Sequence, residues 1–189
     1  LIYADHDRGE LDPLALQVVS AARGLDADVH ALIVGPNAEK CLDDLASAGV
    51  LTVHHGTNAA IDDYTPRANA SAVVTVMDRL EPRAVLAAGT PRGSEVLTHV
   101  ASIKDLPLVT ECSEIALTGS GTAEVTRARW GGNLLERSEV SANVLLATAQ
   151  AHAFAVSEDA GGAQVESFDV HSKLYTISYD DSSGAQSME

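Results

Sequence analysis

The sequence predicts an α/β domain of three-layer αβα, nucleotide-binding-like class, with a mainly parallel sheet and an antiparallel strand extension. Three observations carry this expectation. Short apolar runs alternate with stretches of helical periodicity over residues 1–104, joined by short connections, as the right-handed crossovers of a parallel sheet require. The run at 28–35 (DVHALIVG) is apolar at nearly every position, the pattern of a strand covered on both faces. After Pro107 the helical rhythm stops, and strand-like runs follow one another through glycine-containing turns.

The elements can be justified in order. LIYAD (1–5) is a short strand ended by the polar HDRGELDP. PLALQVVSAAR (13–23) carries apolar residues at helical spacing. Asp12 is placed as its N-cap and Gly24 as its stop, with Pro13 as the first helical residue, where a missing N–H costs nothing. The strand at 28–35 is followed by a helix from Asn37 to Gly49 and a strand at 50–55. A polar loop (56–65) leads to a helix through 67–82, a strand at 84–89 and a helix at 94–104. LVTECSEIALT (108–118) and TAEVTRARW (122–130) flank Gly119-Ser120-Gly121. SANVLLATAQ (141–150) follows with no helix between, so the whole reads as a strand meander. Residues 157–164 are a small polar linker, 165–181 alternate as one or two edge strands, and 182–189 are polar and frayed. The chain is thereby divided into an α/β domain over 1–155 and a linker and edge-strand segment over 156–189.

Composition bounds the function. Hydrophobic residues make up 46% of the 189 but aromatics only 4%, so the core is built from Val, Leu, Ile and Ala. No apolar run approaches the roughly 20 residues of a membrane helix, and residues 1–5 read as strand rather than leader. The net charge of −15 comes from 27 acidic against 12 basic residues, with Lys40, Lys104 and Lys173 the only lysines. Such a surface repels nucleic acid and anionic membranes, which excludes both as partners. Dispersed acidity with few lysines is also the composition of a protein kept soluble at high salt, and the expected setting is the cytoplasm of a salt-adapted prokaryote. Cys41 and Cys112 lack redox or zinc spacing and read as small core residues.

Candidate chemistry gathers at turns. Gly89-Thr90-Pro91-Arg92-Gly93-Ser94-Glu95 leaves a strand and opens a helix, where α/β sheets present nucleotide sites. On that reading Gly89, Thr90 and Ser94 form a nucleotide edge; the plainer reading is a turn capped by Ser94. Asp5-His6-Asp7 follows the first strand, and His54-His55 is placed after the third on the same edge, so a composite metal site is conceivable. A solvated polar loop explains these residues equally well, and no metal site is assigned. No nucleophile elbow, zinc-protease or P-loop spacing occurs, so no catalytic residue and no enzymatic activity are expected. RARWGGN (127–133) lies between two strand-like runs. Its glycines permit positive φ at a bend, Asn133 tolerates or caps it, and Trp130 anchors it. Arg127 and Arg129 share a strand face.

Several blocks resemble the N-terminal domain of the electron transfer flavoprotein α subunit. LIYADHDRGELDPLALQVVSAARGLDADVHALIVG is similar to that family's opening, with a strand ending in acid-His, an AAR helix and a VHALVAG strand. GTPRGSEVLTHVASIKDLPLVTEC resembles its Thr-x-x-Gly helix entry. TRARWGGNLLERSEVSANVLLATAQAHAF resembles its Arg-Pro-x-Tyr-Gly-Gly-Asn signature. Here Ala128 replaces the proline, Trp130 the tyrosine, Gln150 and Ala151 a later Arg-Pro pair, and His99 a basic residue. The blocks recur in order over roughly the first 155 residues.

The resemblance implies a heterodimer with a β subunit, carrying one FAD and passing electrons from dehydrogenases toward a membrane quinone reductase. In that family FAD is held mainly by a C-terminal domain that 1–189 do not include, so FAD is not expected to be held by this chain alone. The resemblance makes Arg127, Arg129, Trp130 and Asn133 a structural turn at a seam with that domain or the β subunit. The alternative is a stand-alone AMP- or ATP-binding module using Asp5, His6, Gly35, Gly89, Thr90 and Ser94.

Overall fold

The computed structural model describes residues 1–57, 64–156 and 162–170. Expectations that fall on 58–63, 157–161 and 171–189, including a second edge strand and the polar tail, lie outside the described residues. The elements in chain order begin with β1 (Ile2–Tyr3), β2 (His6–Asp7), β3 (Glu10–Leu11), α1 (Pro13–Arg23) and β4 (His30–Val34). Next come α2 (Leu42–Ser47), β5 (Thr52–Thr57), α3 (Pro66–Leu80), β6 (Ala84–Ala88) and α4 (Pro91–Lys104). The chain then runs through β7 (Leu108–Gly119), β8 (Thr122–Arg129), β9 (Leu134–Ser141), β10 (Leu145–Ala149) and β11 (Gln164–Asp169).

A nine-stranded sheet forms the middle layer, in the order β11-β5-β4-β1-β6-β10-β7-β8-β9. All its pairings are parallel from β11 to β7, and β7-β8-β9 are antiparallel. Alternation along each strand divides the core between the two faces. Ile2, Ile33, Val53, Leu86 and Ala147 meet Val18 and Val19 of α1 and Leu45 of α2. Tyr3, Leu32, Val85 and Leu146 meet Val73 and Val76 of α3 and Val96, Leu97 and Val100 of α4. The expected αβα layering is therefore present.

Local signals set several boundaries. The Asp12 carboxylate accepts from Leu14 N at 2.9 Å, Pro13 opens α1, and Gly24 closes it. The helix expected from Asn37 is shorter: Asn37 is left-handed (φ 64°), Ala38–Cys41 form a 3-10 turn, and α2 begins only at Leu42. That turn packs under the β2–β3 hairpin, where the positive φ of Gly9 (89°) brings its backbone beside Asn37.

The larger correction concerns 145–149. The sequence places this run in the meander, but β10 enters between β6 and β7 and is parallel to both. All five of its residues are buried, unlike the alternating β8 and β9, and a strand apolar on both faces must lie inside the sheet. β7 therefore pairs with β10 in its first part and with β8 in its second. At the change Glu111 adopts φ 59°, its N–H held by the Thr148 hydroxyl at 2.9 Å.

Candidate functional site

Two places gather the sequence-derived candidates. The first is the carboxyl edge of the sheet. From β1 the chain crosses to β4 on one side, then returns past β1 to β6 on the other, so the topological switch point lies between β1 and β6. Asp5, His6 and Asp7 leave β1 there. The His6 ring is occupied: Nε2 donates to the Val34 carbonyl at 2.9 Å, and Nδ1 accepts from Gly9 N at 3.1 Å. His55 Nε2 likewise donates to the Gly35 carbonyl at 3.2 Å. His54 is not on this edge. It lies within β5 on the opposite sheet face, buried, with Nε2 3.1 Å from His30 Nδ1. The composite His site is thus not assembled, because successive side chains of a strand point to opposite faces. Among the described residues, no group of three His, Cys, Asp or Glu is placed to hold a metal ion.

A cavity of about 350 Å³ opens at the carboxyl ends of β1 and β4, bounded by Asp5, His6, Gly35, Tyr64, Asn69 and Arg92. The Arg92 guanidinium lies 4.6 Å over the Tyr64 ring, Nη1 donates to the His6 carbonyl at 3.4 Å, and Asp5 is 3.8 Å away. The Tyr64 hydroxyl sits 3.1 Å from the Arg92 carbonyl and 3.2 Å from Glu95. Burial pushes the Asp5 carboxyl up, with Arg92 opposing, and burial with Glu95 pushes the Tyr64 phenol up. Tyr64 and Asn69 carried no sequence signal of a site, since the fold alone brings them to Asp5, whereas Arg92 lies in the strand-to-helix turn that the sequence singles out.

Gly89, Thr90 and Ser94 lie at the end of β6, but their roles differ from the expected ones. The cap of α4 is Thr90, whose Oγ1 accepts from Gly93 N at 3.0 Å, not Ser94; the helix starts at Pro91. Proline suits the first helical position, so the start moves upstream. A side chain on Gly89 would lie 2.6 Å from the Glu111 carboxylate and 2.7 Å from the Ala149 carbonyl.

The second place is the β8–β9 hairpin. Trp130, Gly131 and Gly132 are consecutive left-handed residues (φ 54°, 64°, 89°), and Asn133 Nδ2 donates to the Trp130 carbonyl at 2.8 Å. The four-residue turn pairs Arg129 with Leu134 and Arg127 with Glu136. Arg127 and Arg129 share a face and grip one carboxylate: Arg127 Nη2 donates to Glu136 Oε1 at 2.8 Å, and Arg129 Nε to Oε2 at 2.7 Å. With Ser138, these arginines hold the Glu136 carboxyl down to about 2. Trp130 does not anchor the turn, because its side chain is 82% exposed. Three consecutive left-handed residues carry the ring past the last strand pair. Leu134 and Leu135, at 57% and 76% exposure, extend the apolar tip. Sequence reading missed both, and Glu136 as well; counting cross-strand pairs outward from the glycines would have found the carboxylate.

Both cysteines are buried, and burial pushes each thiol up to about 11, which makes them unreactive core residues. No described helix is long and apolar enough to cross a membrane.

The model of the electron transfer flavoprotein domain family matches residues 1–173. Among curated relatives, the probable mitochondrial electron transfer flavoprotein subunit alpha of Caenorhabditis elegans is 25% identical over 167 residues, covering 88% of this chain and 49% of the relative. The electron transfer flavoprotein subunit alpha of Pseudomonas aeruginosa is 28% identical over 168 residues, 88% of this chain and 52% of its own length. Its namesake from Thermoanaerobacterium thermosaccharolyticum is 28% identical over 138 residues, 71% of this chain and 42% of the relative. The chain spans about half the length of the curated relatives it matches.

Proposed function

Because the chain belongs to the electron transfer flavoprotein domain family, we propose that it is the N-terminal scaffold domain of an electron transfer flavoprotein α subunit. It packs on a FAD-binding domain and a β subunit, which together carry electrons from dehydrogenases to a respiratory-chain acceptor. The family match over residues 1–173 carries this reading. The domain's part is positioning and electrostatics, while the flavin supplies the redox chemistry when bound. The segment after 156 leads from this domain toward the FAD domain.

The carboxyl edge does not fit the pyrophosphate of FAD. The Glu111 carboxylate crowds Gly89, Thr90 Oγ1 is spent on the cap, and Asp5 and Asp7 flank the switch point. An anion placed there meets the Asp5 carboxylate, and the nearby Arg92 guanidinium already lies 3.8 Å from that carboxylate and donates to the His6 carbonyl. Flavin is therefore assigned to the rest of the complex. Full-length polypeptide purified with its β subunit should show flavin absorbance, and residues 1–189 alone should be colourless. A colourless full-length heterodimer would overturn the reading. Tight AMP or ATP binding by residues 1–189 in calorimetry would favour the nucleotide-module alternative at Gly89, Thr90 and Ser94.

We place the protein in a salt-rich cytoplasm on the net charge of −15. Raising KCl from about 0.1 to about 2 M shortens the screening length from roughly 10 Å to below 3 Å and relieves acidic self-repulsion. The thermal midpoint should rise with salt; a midpoint that falls would sink the assignment.

A further inference from the structure

Strand β11 forms one edge of the sheet, paired in register with β5 from Gln164↔Thr52 to Asp169↔Thr57. Beneath this pairing runs a line of polar side chains unrelated to either candidate site. His54 of β5, 3% exposed, stacks on His30 of β4 with ring centroids 5.4 Å apart and planes at 19°. Its Nε2 is 3.1 Å from His30 Nδ1, and its Nδ1 is 3.4 Å from Glu166 Oε2 of β11. That last contact falls outside hydrogen-bond geometry: the buried Nδ1 has no hydrogen-bond partner, and the pair carries opposite charges only when His54 is protonated.

With one proton on each ring, a single arrangement satisfies all three groups. His30 Nδ1–H donates to His54 Nε2, and His54 Nδ1–H faces the Glu166 carboxylate. The opposite tautomer of His54 would set a lone pair against that carboxylate. Other charges reach the pair from every packed element. Asp28 precedes β4, Arg79 of α3 lies 5.1 Å over Phe168 of β11, and the amino group of Leu1 is near.

We propose that His30, His54 and Glu166 form a pH-set clasp that fastens β11 to the sheet at neutral pH and loosens it in acid. Two rings 3.1 Å apart cannot both carry charge without repulsion. Burial holds the proton affinity of both rings below the ordinary histidine value, Glu166 opposing this at His54 and Asp28 at His30. The unfolded histidines therefore take up protons first. The clasp is fully closed above a pH of about 6.5 and weakens as pH falls through and below that value.

Amide hydrogen exchange over 164–170, at about pH 7.5 and about pH 5.5 and corrected for intrinsic chemistry, tests the clasp. Protection of β11 should fall severalfold in acid, while β1 and β6 keep theirs. His30→Phe retains a stacked ring but removes the second charge, and its acid loss should shrink below about twofold. Glu166→Gln, at an exposed side chain, folds normally and removes the charge that favours a proton on His54. Its His54 titration, followed by NMR, should move to lower pH. Equal protection of β11 at both pH values, an unchanged acid response in His30→Phe, or a His54 titration that does not move in Glu166→Gln would each overturn the proposal.

Discussion

Replacing Gly93 by alanine is expected to destabilise the domain by roughly 2 kcal/mol, although the same change within most helices stabilises. Gly93 lies in the first turn of α4, and a Cβ there would stand 2.2 Å from the Ala88 carbonyl oxygen. That oxygen belongs to the last residue of β6, a central strand held by β1 and β10, so it cannot swing aside like a side chain. Either α4 lifts from the sheet or its first turn unwinds and loses the Thr90 cap. Overpacking of this kind costs about 1–3 kcal/mol, against a helix-propensity gain of about 0.5–1. At about 2–4 °C per kcal/mol, the thermal midpoint should fall by roughly 4–8 °C. Gly24→Ala is the control, since Gly24 has φ −63° and its nearest Cβ neighbour would be 3.4 Å away. It should leave the midpoint unchanged or raise it slightly. Equal midpoints for the two variants would show that the contact at Ala88 yields.

What could be read from the chain, and what could not, follows the range of the interactions. The Asp12-Pro13 start of α1 was legible because a cap and the N–H it satisfies lie two residues apart. The Thr90-Pro91 start of α4 has the same chemistry, but Ser94 offered a competing cap four residues on, and only the approach of α4 to β6 decides between them. The position of β10 was hidden for a different reason. LLATA announces burial on both faces, yet which strands flank it depends on pairings with residues some forty to sixty positions upstream. His30, His54 and Glu166 were hidden in the same way, since strand register alone brings them together. The RARWGGN turn was read correctly as a bend. What failed was the expectation for Trp130: a lone tryptophan is usually an anchor within its own chain, and this one stands 82% exposed.

The exposure of Trp130 leads to the prediction with the largest effect on assembly. The tip of the β8–β9 hairpin presents Trp130, Leu134 and Leu135 at 82%, 57% and 76% exposure, behind the arginine pair fixed on Glu136. If this tip lies at the seam with the FAD domain or the β subunit, the tryptophan is the aromatic anchor of that contact, and truncating such an anchor typically costs 2 kcal/mol or more. Trp130→Ala in the full-length polypeptide should therefore weaken assembly with the β subunit by roughly thirtyfold, measured by calorimetry or by flavin retention on dilution. The isolated domain should unfold at an unchanged midpoint, because an exposed side chain contributes little to it. Trp130→Phe should recover much of the affinity by keeping a flat apolar ring. Arg127 and Arg129 stiffen the hairpin behind the tip, and their effect follows the charge on Glu136. The carboxylate is held down to about 2, so the bracket is intact above the ordinary carboxylate range and is lost as pH falls toward that value. At neutral pH, Glu136→Gln should weaken assembly less than Trp130→Ala does, since it loosens the support and leaves the anchor in place. A Trp130→Ala heterodimer with wild-type affinity and flavin content would remove the hairpin from the seam and leave the domain's other surfaces to carry it.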